Sequence, residues 1–293
     1  MNNKLSYSNL SNMRSVAERL AAGKALRQKV KRSDLGVYTP ASNRPDPLDL
    51  LAAQTKTRLS DLIPVYYERM LASPFAFLRG SAAVMIQDIA SSPTTGISVQ
   101  ACGDMHVSNF GVFASAERNL VFAINDFDET YPGAWDIKRL VTSAIAAGRH
   151  LKADKTLCEE AVRATLQSYR QHLHEYAQMS YLELWYAQIE EAELLKKLPD
   201  EQQQKAARIL AKARERTHLQ TLDKLTELVN EQQQIIESPP LVIRAETLSD
   251  GRSIVEALKE LIQSYFASIG SDRRFLLSRY RIVDVARKVV GVG

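Results

Sequence analysis

Only two cysteines, Cys102 and Cys158, occur in the 293 residues. Their separation fits neither a metal-type spacing nor a disulfide framework, so the sequence reads as that of a cytoplasmic protein in a reducing compartment. No apolar run approaches the roughly 20 residues needed to cross a bilayer. The N-terminus lacks a continuous apolar stretch ending in a small-residue cleavage site, which argues against a secretory signal. Histidine is sparse as well. Beside His106 there are only His150, His172, His174 and His218, all in stretches with helical pattern. A formal net charge of +4 is too mild to argue for nucleic acid.

What remains is a globular composition, 45% hydrophobic and 25% charged, in a chain long enough for one large domain or two lobes. Positive charge gathers at the start, where Lys4, Arg14, Arg19, Lys24, Arg27, Lys29, Lys31 and Arg32 face a single acid, Glu18. Val16, Leu20, Ala21 and Leu26 supply only a thin apolar stripe, so a solvated basic helix is expected rather than a membrane-binding one.

The pattern predicts a helix over 11–30 and a proline-broken loop over 38–49. A helical stretch follows over 50–71, interrupted at Pro64. Further helices are expected over 81–90 and 135–150. Apolar residues at Cys158, Val162, Leu166, Tyr169, Leu173 and Tyr176 then step by three or four along a long helix. Ser180 is placed to cap a helix running to 195, and Pro199 to open one reaching about 229, with both glutamine runs (202–204 and 232–234) on exposed helix surface. Pro239-Pro240 marks a break, 253–269 reads as helix, and the β-branched stretch 280–292 as strand. The expected organisation is a basic helix with a proline-rich loop (1–48), a catalytic and helical region (49–240), and a helix leading into a glycine-bearing strand (241–293).

The chemistry concentrates in Cys102-Gly103-Asp104-Met105-His106-Val107-Ser108-Asn109-Phe110-Gly111 and Ile124-Asn125-Asp126-Phe127-Asp128-Glu129. Strand-like pieces, 97–101 and 120–124, precede the two polar sets. Two short strands would thus deliver hard oxygen ligands to one point, as phosphoryl transfer requires. In that reading Asp104 is the catalytic base that orients an acceptor hydroxyl and takes its proton late. Asn109 and Asp126 are Mg²⁺ ligands with Asp128 assisting, and His106 stabilises the loop. Asp136, at a helix start, is expected to hydrogen-bond loop amides. Lys138 and Arg139 receive no role, and Arg79 is expected to pair with an acid that closes the fold. Arg216 and Lys224 share one face of a predicted helix, where a solvated or salt-bridged surface explains them.

Gly103-Asp104-x-His106-x-x-Asn109 is similar to the catalytic loop of aminoglycoside phosphotransferases and related small-molecule kinases. Asp126-Phe127-Asp128 resembles their metal-binding segment, and Asp136 matches the acid that braces the loop there. More of the chain resembles the uncharacterised bacterial family called domain of unknown function 2252. The matching pieces are Ser73-Pro74-Phe75-Ala76-Phe77-Leu78-Arg79-Gly80, both motifs above, Trp135-Asp136-Ile137-Lys138-Arg139-Leu140, and 284–293. The resemblance implies an α+β, mostly helical fold with a protein-kinase-like catalytic lobe. It also implies Mg²⁺ and ATP as cofactors, and an acceptor that no residue pattern specifies.

In that family the closing Gly-x-Gly continues into a lysine-bearing strand, which reads as the phosphate-contacting part. The glycine loop then follows the catalytic loop, as in a circular permutation. Gly291 and Gly293 would begin the phosphate cradle. Because the chain stops at Gly293, the expectation is a C-terminally truncated form with an incomplete nucleotide lobe and impaired catalysis. Competing readings stay open: nucleotidyl transfer at the same centre, a non-catalytic nucleotide-binding or interaction module, a metallophosphoesterase, or acids that serve only as turns and caps. The metallophosphoesterase is disfavoured by the few histidines. The last reading is costly, because converging carboxylates repel one another without compensation.

Overall fold

Ser15 and Glu18 start the first described helix with a reciprocal pair. Ser15 Oγ accepts the Glu18 N–H at 3.2 Å, and the Glu18 carboxylate accepts the Ser15 N–H at 2.7 Å. The helix, α1 (Val16–Lys29), buries none of its residues, in line with its thin apolar stripe. The computed structural model describes residues 14–128, 130–132, 135–215, 218–244 and 253–289. The chain divides into two compact units, Met1–Gln203 and Gln204–Gly291. The architecture is α+β and mostly helical, with small antiparallel sheets.

In the first unit, prolines begin helices instead of breaking them. Pro47 stands in the first turn of α2 (Pro47–Thr55), where Asp46 caps the Leu48 N–H at 2.7 Å. Pro64 does the same for α3 (Ile63–Leu71), so the expected bend at Pro64 is in fact a helix start. Ser73 caps α4 (Pro74–Gly80), a helix that the sequence pattern did not reveal, and α5 (Ala82–Ile89) follows. Leu51, Tyr66, Met70 and Val84 form the buried cluster that holds α2, α3 and α5 together. Tyr66 donates its hydroxyl proton to the Gly80 carbonyl at 2.5 Å, satisfying the polar end of a buried ring.

Four short strands form two nested antiparallel pairs. β1 (Gln100–Cys102) pairs with β4 (Thr130–Pro132), and β2 (Phe110–Ala114) pairs with β3 (Leu120–Ile124). Cys102 faces Thr130 in the outer pair and Phe110 faces Ile124 in the inner one, so loops 103–109 and 125–128 lie opposite each other. An Asn125 N–H to Asn109 carbonyl bond of 3.0 Å continues the inner ladder between them. Phe110 stacks diagonally on Phe122 with ring centroids 5.5 Å apart. Strand β1 is shorter than 97–101 suggested, whereas β3 spans the expected residues.

After the strands come α6 (Asp136–His150) and α7 (Lys155–Gln178), packed side by side. Ser180 caps the next helix as expected, but the helix ends early. α8 (Tyr181–Tyr186) gives way to β5 (Ile189–Glu190), which joins β3, before α9 (Glu191–Lys196). Tertiary pairing with an exposed sheet edge has overridden a helical pattern.

The second unit corrects a longer helix. α10 (Asp200–Glu215) and α11 (His218–Leu225) are helical, but β6 (Thr226–Val229) and β7 (Gln232–Ile235) form a hairpin. Its two turn residues, Asn230 and Glu231, both have positive φ (49° and 64°), the conformation of a tight I′ turn. Gln232, Gln233 and Gln234 are therefore strand residues. The remaining elements are β8 (Val242–Arg244), α12 (Ile254–Ser268), α13 (Ser271–Leu277) and β9 (Ala286–Lys288), with β8 and β9 paired antiparallel. Only β9 is strand within the described part of 280–292. Among the described residues no helix is long and apolar enough to cross a membrane.

Gly148 sets how closely α6 approaches α7. A Cβ there would lie 2.5 Å from Cys158 Sγ. Gly148→Ala is expected to destabilise the protein by about 1–3 kcal/mol through overpacking, despite alanine's better helix propensity. Adding Cys158→Ala should recover most of the loss. Urea denaturation of the two single variants and the double variant measures both effects.

Candidate active site between two nested loops

The loop after β1 is fixed by the buried face of α6. Arg139 and Ser143 lie four residues apart on that helix, hence on one face, and are 1% and 0% exposed. Ser143 Oγ accepts the Val107 N–H at 3.0 Å and donates to the Leu140 carbonyl at 2.6 Å. Arg139 reaches Asp104 Oδ1 twice, from Nε at 2.9 Å and Nη2 at 2.5 Å. Its Nη2 also donates to the Leu78 carbonyl at the end of α4, at 2.6 Å.

The other oxygen of Asp104, Oδ2, lies 3.4 Å from His106 Nε2. His106 is buried, edge-on to Phe75, and its Nδ1 has no hydrogen-bond partner among the described residues. Burial alone would raise the Asp104 pKa. The His106 hydrogen bond and the Arg139 charge outweigh that effect and hold it below the ordinary aspartate range. Asp104 is thus ionised at neutral pH.

Asn109, 4% exposed, joins the two loops. Its Nδ2 donates to the Asp104 carbonyl at 2.9 Å and to the Asp126 carbonyl at 3.3 Å. The Cys102 thiol donates to the same Asp126 carbonyl at 3.1 Å. Burial raises the Cys102 pKa first; the Asp104 N–H opposes this, and the charges of Asp104, Asp126 and Asp136 add to the rise. Three carboxylates therefore act on one buried sulfur. Gly111 keeps the neighbouring strand clear, since a Cβ there would come 3.2 Å from Asn125 Oδ1.

Asp126 is exposed, and its Oδ1 accepts the Asp128 N–H at 3.0 Å, tightening the second loop into an Asx turn. The Asp128 side chain is also exposed. Among the described residues no three His, Cys, Asp or Glu side chains group as metal ligands. The expected set of Asn109, Asp126 and Asp128 lies outside such a count because one ligand is an amide. Its chemistry suits Mg²⁺, which takes oxygen donors, needs few from the protein and keeps several waters. With Asn109 Nδ2 occupied by carbonyls, its Oδ1 is the end left to accept or coordinate.

The sequence-derived residues of the two loops, Asp104, Asn109, Asp126 and Asp128, belong to this one nested-loop arrangement. Gly291, Gly293, Glu129 and Arg216 lie outside the described residues. Lys224 is exposed on α11. The bracing role expected of Asp136 falls instead to Arg139 and Ser143, because no described hydrogen bond engages the Asp136 carboxylate. Arg79, expected to pair with an acid, forms no ion pair among the described residues, and its buried Nε lacks a hydrogen-bond partner there. At this site it is Arg139 that closes on an acid. The spacing Asp136, Arg139, Ser143, polar residues in register on an otherwise apolar helix face, was the available signal.

Fold and site together define a mostly helical α+β protein carrying an oxygen-rich patch between two loops. The chain belongs to the family described as uncharacterized protein conserved in bacteria (DUF2252), which matches residues 58–293. Comparison with curated proteins and with solved structures gave no match.

Replacing Arg139 by Met should cost about 3–5 kcal/mol, because the Asp104 charge is left without its partner. The double variant Asp104→Asn, Arg139→Met should lose less. The lowered Asp104 pKa gives stability that is present above the unfolded value of about 4 and lost as pH falls through the folded one. Denaturation midpoints measured down to low pH should show a shallower acid decline in Asp104→Asn than in wild type.

Proposed function

We propose that the nested loops form a kinase-like phosphotransferase centre that uses Mg²⁺ and ATP on an acceptor hydroxyl. The observation that carries the reading is the Asn109 amide. By donating to the Asp104 and Asp126 carbonyls at 2.9 and 3.3 Å, it brings the proton-accepting loop and the acidic loop to one place. Asp104, fixed by Arg139 and His106, orients the acceptor hydroxyl and takes its proton late in the transfer. Asn109 Oδ1 and the exposed Asp126 carboxylate, with Asp128 beside it, would hold Mg²⁺. Bound there, the metal supplies charge neutralisation at the nucleotide phosphates.

A second reading has its own support. Both Asp104 oxygens are already engaged, and a carboxylate held below its ordinary pKa is a weak proton acceptor. That favours a nucleotide-binding module of the same architecture without turnover.

Calorimetric titration with ATP in the presence and absence of Mg²⁺ addresses the metal site. Wild type should bind in a Mg²⁺-dependent manner, and Asp126→Ala should weaken binding by about tenfold or more. With labelled ATP and a mixed acceptor pool, Asp104→Asn should lower transfer by about 10²–10⁴-fold while leaving nucleotide affinity intact. Label from the γ-phosphate marks phosphoryl transfer, and label from the α-phosphate marks nucleotidyl transfer. Binding without transfer in wild type selects the module. No nucleotide binding at any Mg²⁺ concentration sinks both readings.

A further inference from the structure

Behind the helix that carries Arg139 lies a cleft of about 1030 Å³, contained within the first unit. Its volume is at the upper end of the roughly 300–1000 Å³ common for sites that enclose small ligands. α4, α5, α6 and α7 contribute to its walls, together with segments 35–38 and 92–98. Phe77, Val84, Ile89, Ile137, Val141 and Leu166 make the lining largely apolar. Asp104, Asn109, Asp126 and Asp128 do not line it, so the cleft is separate from the nested-loop site.

The charges around it are unbalanced in one direction. The acid in the lining, Asp88, is already matched by Arg44, which reaches its two oxygens at 2.5 and 2.9 Å. Arg32 also lines the cleft but is exposed, where water screens its charge. Arg139 shows one flank to the cleft but commits its guanidinium to Asp104 and the Leu78 carbonyl. Lys138 is different. It lines the cleft half-buried, and no acidic partner engages it among the described residues. Burial alone lowers its pKa, with no opposing contribution from a carboxylate. A partly desolvated cation beside a large apolar surface is complemented by a ligand with one anionic end and an apolar body.

We propose that this cleft binds an amphipathic monocarboxylate, with its head on Lys138 and its hydrocarbon body against α5 and α6. The lysine supplies a compact point charge suited to a single carboxylate. Apolar walls supply affinity by removing the chain from water. Nothing in this inference depends on nucleotide chemistry, and its test uses none.

Trp135 lines the cleft, whereas the only other tryptophan, Trp185, is 82% exposed on α8. In a Trp185→Phe background, the emission of Trp135 therefore reports on occupancy. Titration with decanoate, decanol and decyltrimethylammonium below their aggregation limits separates head-group recognition from plain hydrophobic binding. Decanoate should bind saturably and about tenfold or more tighter than decanol, with the cation weakest. Lys138→Arg should keep that order, and Lys138→Met should equalise decanoate and decanol while leaving decanol affinity unchanged. The proposal is overturned if no ligand gives a saturable response, if wild type does not distinguish decanoate from decanol, or if folded Lys138→Met retains the preference. Should Lys138→Met fail to fold, the ligand order in wild type and Lys138→Arg still decides.

Discussion

A guanidinium that is 1% exposed and still charged requires compensation, since desolvating such an ion costs several kcal/mol. Arg139 receives it from two directions, the Asp104 carboxylate and the Leu78 carbonyl. The first fixes the loop after β1 and the second fixes the end of α4. Helix α6 thereby becomes the element against which the polar loop and the helical layer are both located. Ser143, one turn further along, secures the same loop by its main chain at Val107. Together they set the Asp104 side chain to within hydrogen-bonding tolerance before any ligand arrives.

The nested strand pairs add the second constraint. Because β2 and β3 sit inside the span between β1 and β4, the two polar loops are forced opposite each other by hydrogen-bond register. Asn109 then spans the gap. Fold and site therefore share one cause: three short stretches of chemistry-bearing sequence are placed by a ladder and a helix face, and none depends on a long flexible excursion.

Much of this was legible beforehand. The Asp104, Asn109 and Asp126 spacing and the apolar run of β3 pointed to two strand-borne loops, and the long period over α7 was clear. Features set by distant partners were less readable. Gln232, Gln233 and Gln234 have no intrinsic strand preference; the positive φ at Asn230 and Glu231 folds them back onto β6. Ile189 and Glu190 leave a helical pattern because the β3 edge offers hydrogen bonds. The sequence pattern gave Arg139 no role. Only the tertiary packing that buries it shows that it faces inward; in the sequence its register with Asp136 and Ser143 was the one trace of its role.

The bonds from Asn109 end on peptide carbonyls, which every residue type carries. Scaffold and reactivity are thereby decoupled at position 126, where the clasp between the loops does not depend on the side chain, whereas at position 104 the carboxylate also compensates the buried Arg139. A lineage could exchange the acid at 126, gaining or shedding chemistry, while inheriting the same clasp unaltered.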